Sequence, residues 1–345
     1  MELKTYSITI RPESAFGTPL KGDTIFGQFC WQLVEDRELA NEDISSLLGA
    51  YHENPFAVFS SAWPVISQNH KLRFALPRPN LPPPLMGDPP GVSSCAERLK
   101  KRKELKAKRW FLVEEDLKAK LSWNYIVDDS KLLKLLMQSN EDSYLFTQYF
   151  HQEPKIVMFS EQQHNTINRL SGTTGTGMFA PYSFNNLWYM PGTELVIFVA
   201  INEEQISIEQ VKTGLKRIGT FGFGRDASTG LGRFSIGGIR EIKWPQPQNR
   251  QSVFTLGPCV PEKNLYEEIM FQPFIRFGRH GAQLLHTGRP FKNPIIMADE
   301  GAVLVPKADY KLNLPLVGMG VKGLSKALGD TVSQGYSLAL PFELG

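Results

Sequence analysis

The chain has 345 residues, 41% of them hydrophobic and 21% charged, with a formal net charge of +3. That balance excludes a disordered tail, and so small a charge by itself predicts no polyanionic partner. The length predicts two domains, each able to bury its own core.

In chain order, TYSITIRP (5–12) alternates and is β-branched, which predicts a strand ended by Pro12. GTPLKGDTIFGQFCWQLVED follows, with Ile25, Phe26, Phe29, Cys30 and Leu33 at helical spacing and Asp23 or Thr24 as the N-cap. From about 70 to 95 the proline-rich LPRPNLPPPLMGDPPG predicts an irregular, extended connection, and the basic ERLKKRKELKAKRWFL after it predicts a helix. Between Glu97 and Lys120 stand ten Lys/Arg against five Asp/Glu. This block reads either as a solvated helix face or as a phosphate-facing surface. Residues of about 70–150 read as an insertion into the first domain.

ELVIFVAIN (194–202) predicts an apolar strand, ISIEQVKTGLKRIG (206–219) an amphipathic helix, and RFSIGGIREIKW (233–244) another strand. This is the order of a ferredoxin-like βαββαβ unit with a large insertion in its middle. WPQPQNRQ (244–251) reads as a linker, and SVFTLGP, FQPFIRFG, NPIIMADEGAVLVP and YSLALPF beyond it as β-like runs. The expected organisation is an α+β chain with an N-terminal domain over 1–245 and a β-rich C-terminal domain over 246–345.

Three glycine-bearing or polar stretches stand out. GFGRDASTGLGRF (222–234) holds four glycines in thirteen positions, and its start fits the Gly-x-Gly-x-x-Gly/Ala dinucleotide fingerprint. That fingerprint must follow a strand and open a helix, so that pyrophosphate meets a helix N-terminus. Here a helix precedes the loop and a strand follows, which excludes the geometry. The glycines either turn the chain or let backbone N–H groups approach an anion, with Arg225 and Arg233 pairing to phosphates; both readings stay open on this loop alone. FGTPLKGDTIFG (16–27) places Lys21 and Gly22 just before a helix start, where an anion is favoured and a merely capped helix is the plainer alternative. QHNTINRLSGTTGTGMFAPYSF (163–184) brings His164, Asn165, Asn168 and Arg169 together ahead of Phe179, Tyr182 and Phe184. Such a mixture can hydrogen-bond and stack single-stranded bases, although a flexible polar loop has the same look.

No catalytic set emerges, and no metal or other cofactor is expected. His52, His70, His151, His164, His280 and His286 are scattered, and only His164 is a candidate general acid or base for RNA cleavage. The three cysteines, Cys30, Cys95 and Cys259, form no Cys-x-x-Cys pair, which argues against a disulfide scaffold and a structural zinc site. No charged-then-apolar leader and no run of about 18 apolar residues is present, so a cytoplasmic, soluble chain without a membrane partner is expected.

Taken together, the N-terminal strand with GTPLKGDTIFG, the central HNTINRLSGTTGTG and the GFGRDASTGLGRF loop resemble the RAMP proteins of CRISPR systems. More narrowly, they resemble the fourth-subunit family of the type III-A (Csm) effector complex, and PFKNPIIMADEGAVL and VSQGYSLALPF also fit it. The resemblance touches roughly 1–35, 160–245 and 285–345; the insertion at 70–150 matches nothing in it. It implies two ferredoxin-like RAMP domains that grip the 5′ handle of the crRNA. It further implies contacts with the large polymerase-like subunit and the adjacent backbone RAMP subunit, and with target RNA through the assembled complex. The subunit it implies is a non-catalytic scaffold. Carried over, Lys21, Gly22, His164, Asn165, Asn168, Arg169, Gly222, Gly224, Arg225, Ser228, Thr229, Gly230, Gly232 and Arg233 become handle-binding candidates. The rival reading is a metal-independent endoribonuclease that processes precursor CRISPR RNA with His164; a third is a protein–protein scaffold whose glycine loops only turn the chain.

Overall fold

A computed structural model describes residues 3–68, 71–87, 91, 94–139, 155–248, 251–280, 291–329 and 331–344. Residues 140–150 of the insertion, 249–250 of the linker, and His70, His151 and His286 lie outside the described residues. In chain order the N-terminal part runs β1 (Lys4–Pro12), α1 (Gly22–Glu35), α2 (Ile44–Ala50), β2 (Ala57–Phe59), β3 (Trp63–Gln68) and β4 (Lys71–Pro77). Next come α3 (Pro83–Met86), α4 (Cys95–Lys100), α5 (Arg102–Ala107), β5 (Trp110–Glu114), β6 (Ala119–Lys120), β7 (Ile126–Val127) and α6 (Asp129–Ser139). There follow β8 (Val157–His164), β9 (Tyr182–Tyr189), β10 (Leu195–Ile201), α7 (Ile208–Phe221) and β11 (Phe234–Glu241). The C-terminal strands are β12 (Ser252–Thr255), β13 (Tyr266–Met270), β14 (Pro273–Arg276), β15 (Ile295–Ala298), β16 (Val303–Pro306), β17 (Leu316–Gly318) and β18 (Tyr336–Glu343).

The chain is α+β, and among the described residues its strand pairs are antiparallel except for β6 against β18. An eight-stranded sheet runs β11-β1-β10-β3-β4-β5-β7, with β2 also on β10. A six-stranded sheet runs β13-β16-β12-β18-β17, with β6 on β18; β8–β9 and β14–β15 are separate two-stranded ribbons. No α-helix occurs among the described residues beyond 251. Among the described residues, no helix is long and apolar enough to cross a membrane.

The unbroken apolar run of β10 explains the layering. Leu195, Ile197, Val199 and Ile201 face α1 and α7, packing with Phe29, Leu33, Leu215 and Ile218. Val196, Phe198 and Ala200 face the C-terminal sheet, packing with Phe254, Leu340 and Phe342. A strand covered on both sides needs no polar alternation. Helices therefore cover one face of the large sheet and the C-terminal sheet covers the other, so the two parts of the chain share one core. Phe111 of the insertion joins it, edge-on to Phe254 and Phe342 at 5.9 and 6.0 Å.

Four local expectations change. Residues 71–77 form a strand, because Phe74, Ala75 and Leu76 are buried between β3 and β5; the prolines begin only at its end. The basic stretch splits into two short helices and strand β5. The N-cap of α1 is Lys21, with no side-chain cap, and Asp23 is used elsewhere. The linker begins docked: Trp244 is buried against Phe198 and donates from Nε1 to the Ala339 carbonyl at 2.8 Å.

Phe198 is fully buried between Phe74 (5.1 Å) and Trp244 (5.7 Å), at the contact of the two sheets. Phe198→Ala is expected to cost about 3–5 kcal/mol. Chemical denaturation followed by both far-UV dichroism and tryptophan fluorescence should show one coincident, shifted transition; two separated transitions would mean that the sheets unfold independently.

Candidate nucleic-acid interface

The site is organised by residues 13–18, the segment that leaves β1 after Pro12. On one side this segment holds the glycine loop: Glu13 N–H donates to the Arg233 carbonyl (2.8 Å), Gly232 N–H to Ala15 O (2.6 Å) and Arg233 N–H to Ser14 Oγ (2.8 Å). On the other it holds β9, through reciprocal Phe16–Leu187 backbone bonds of 2.8 and 2.9 Å. Buried Phe16 pins the arrangement, its ring 5.7 Å from Tyr189 and 6.4 Å from Phe223.

The loop itself lies between α7 and β11, the helix-then-strand order that a dinucleotide site forbids. Its glycines serve close approach of the chain to itself. A Cβ on Gly224 would lie 2.5 Å from the Thr18 Cβ, and one on Gly232 only 2.2 Å from the Phe223 carbonyl oxygen. Both also have positive φ, 77° and 76°, a region costly for other residues. Gly222 is likewise buried. The exposed rim is Ser228, Thr229, Gly230 and Arg233. The Arg233 side chain makes no hydrogen bond or ion pair among the described residues.

Arg225 binds the three stretches together. Its backbone N–H donates to Thr18 Oγ1 (3.0 Å), and its Nε to Gly17 O (3.3 Å). Its terminal nitrogen donates to Asn185 O (3.2 Å) and Asn186 Oδ1 (3.1 Å), while the guanidinium lies 3.8 Å over the Phe184 ring. The group is thus engaged within the protein and shapes the site.

The β8–β9 ribbon presents what the loop supports. Its register pairs His164 with Tyr182, Gln162 with Phe184, Ser160 with Asn186 and Met158 with Trp188, all on one face. His164 stacks on Tyr182 at 5.2 Å and nearly parallel, and Phe184 stands edge-on to both rings. Tyr182, Phe184 and Trp188 nevertheless remain 47%, 38% and 45% exposed. Trp188 escaped the sequence reading, since only the register places it on this face. His164 Nε2 is shielded from solvent and has no hydrogen-bond partner among the described residues.

Of the other candidates, Asn168 closes the ribbon's turn: its Oδ1 accepts from Leu170 N–H at 2.9 Å. Asn165 and Arg169 are exposed near the tip, beside bare Ile167, Leu170 and Met178; Phe179 is half-buried there. Lys21 and Gly22 point elsewhere. Gly22 is packed on β2, where a Cβ would fall 2.2 Å from the Phe59 carbonyl oxygen. Lys21 Nζ is paired with Asp299 and, at 2.7 Å, with Glu300, and sits 4.4 Å over Phe274. Burial works to lower the Lys21 pKa, but Glu300 and Asp299 together hold it above its ordinary value. Burial pushes the Glu300 carboxyl upward despite Lys21 and the Ser61 hydroxyl, which donates to it at 2.6 Å. Next to this pair, Arg276 grips Asp23 with two bonds of 2.5 and 2.8 Å.

No family model matches the sequence, and no curated protein matches it either. Solved structures do. A chain of the Csm3–Csm4 subcomplex in the type III-A CRISPR-Cas interference complex aligns over 99% of both chains, at 13% identity and a TM-score of 0.57. Chains of the Csm1–Csm4 cassette align over 99% of both chains at 16% identity, with TM-scores of 0.54 in the complex with pppApA and 0.52 in that with cA4. The chain shares their fold.

Lys21 joins α1 to the C-terminal ribbon through a largely buried contact. Lys21→Met should destabilise the protein by about 3 kcal/mol, because two carboxylates lose their cation. A denaturation midpoint within error of wild type would show that the pair carries no such weight.

Proposed function

We propose that this chain is a non-catalytic RNA-binding subunit of a type III-A CRISPR effector complex. It binds the 5′ handle of the crRNA and joins the large polymerase-like subunit to the adjacent backbone RAMP subunit. The observation that carries the reading is the convergence, through Arg225, of the glycine loop, residues 13–18 and the exposed aromatic face of β8–β9. Stacking rings beside cations unpaired among the described residues suit single-stranded RNA: Tyr182 and Trp188 offer π-faces, while Arg233, Arg169 and Ser228 offer phosphate donors. On this reading Lys21 and Gly22 set the α1 end of the site in place and Asn168 shapes the ribbon's turn.

The fold likeness to chains crystallised in Csm1–Csm4 and Csm3–Csm4 assemblies supports the subunit role. So does the β14–β15 ribbon, where paired Ile275 and Ile296 are exposed and Phe271 and Phe277 are exposed just beyond the ends of β14, as surfaces covered by a neighbouring protein are. We read residues 1–245 and 246–345 as two RAMP domains. The first has the ferredoxin-like order β1-α1-β3…β10-α7-β11, with strands laid out β11-β1-β10-β3. The setting of His164, stacked on Tyr182 with its Nε2 shielded, favours a binding role over general acid or base chemistry.

Binding to the guide RNA recovered with the complex is expected to be salt-sensitive and to weaken when the handle is scrambled. Tyr182→Ala with Trp188→Ala should weaken it by about 1–3 kcal/mol per lost stack. Equal affinity for native and scrambled handles would contradict the assignment. Incubation with precursor RNA in EDTA should leave the RNA intact, whereas cleavage abolished by His164→Ala would establish the nuclease instead.

A further inference from the structure

The insertion carries a second basic feature, remote from the glycine loop. A cleft of roughly 480 Å³ lies between α5 and the start of α6, lined by Lys101, Glu104, Lys108, Trp123, Asp128 and Lys131. Asp128 is turned to a structural task, its Oδ1 accepting the Lys131 backbone N–H at 2.8 Å. Lys108 and Lys131 have no carboxylate partner among the described residues, and Lys101 donates only to the Gly91 carbonyl, at 3.1 Å.

Behind the cleft sits a further cation. Arg78 lies 5.3 Å from the Trp123 ring and Lys108 lies 5.8 Å from it. The Arg78 guanidinium donates to Leu105 O (2.6 Å) and Lys108 O (3.2 Å), carbonyls at the end of α5. It has no carboxylate partner among the described residues, and burial pulls its pKa down. A half-buried guanidinium held by carbonyls alone has no full countercharge, and the ring it lies against, Trp123, lines the cleft.

A plain solvated helix face would not bury an unpaired arginine behind an aromatic ring. A protein-binding patch would show bare apolar side chains at its centre, where lysine is depleted. Nucleic-acid surfaces, by contrast, combine excess positive charge with aromatic rings. We propose that this cleft is a second contact for single-stranded RNA, with backbone phosphates on Lys101, Lys108 and Lys131 and one unpaired base beside Trp123.

The proposal does not rest on the handle assignment. The glycine loop adjoins β11, at one edge of the large sheet, and the cleft adjoins β5 and β7 at the other. Five strand spacings from β11 to β5 put the two about 24 Å apart.

The test measures binding of the full-length chain to a short single-stranded RNA without any handle sequence, across a salt series. Lys101→Gln, Lys108→Gln and Lys131→Gln combined should reduce the slope of log affinity against log salt by about 2, three phosphates at about 0.7 each. Trp123→Phe should remove most of the RNA-induced tryptophan quenching. The three glutamines are surface changes, and an unchanged thermal midpoint confirms the fold. An unaltered salt slope in the triple variant overturns the proposal. So does a triple variant that loses affinity for a polyglutamate peptide and keeps its affinity for RNA.

Discussion

The guanidinium of Arg225 is the tie on which the candidate interface depends. Five contacts of this one residue reach Gly17 and Thr18 after β1, Asn185 and Asn186 in β9, and the face of Phe184. The base of the ribbon is held besides by the Phe16–Leu187 pair and by Val157 and Met158, packed on the cluster of Ile66, Leu112 and Leu132. Hydrogen bonds from a charged donor are stronger than neutral ones, and several on one planar group also fix orientation. The aromatic face of β8–β9 therefore has a defined position relative to the loop's exposed rim, which a recognition surface requires.

A second tie operates at the other end of the same segment. Lys21 and Asp23, at the start of α1, reach Asp299, Glu300 and Arg276 of the C-terminal part. Such ion pairs add little net stability but are costly to break, so they specify how the parts are registered. The shared aromatic core between the sheets supplies the apolar driving force; the ion pairs choose the alignment. One short stretch, residues 13–23, thus positions the glycine loop, the ribbon and the C-terminal strands at once.

Much of this was legible in the sequence because the signals were local. The run LVIFVAI marked an apolar strand, the periodicity after Ser207 marked α7, and helix-then-strand around GFGRDA excluded a dinucleotide site. What escaped depends on distant partners. Lys21 reads as a free cation until Asp299 and Glu300, nearly the whole chain away, are seen on it. Trp188 joins Tyr182 and Phe184 only through strand parity in a ribbon whose register the sequence does not announce. Gly224 and Gly232 look ligand-facing by composition, yet Thr18 and Phe223 fill the space beside them. The strand at 71–77 was hidden by prolines that begin only where it ends.

The most direct test of the central claim is photo-crosslinking of the assembled complex, with sites mapped by mass spectrometry on both chain and RNA. Crosslinks from the guide's 5′-terminal nucleotides should fall on Tyr182, Phe184 or Trp188 and on the 228–233 rim. Crosslinks of those nucleotides only to other subunits, with none on this chain, would contradict it.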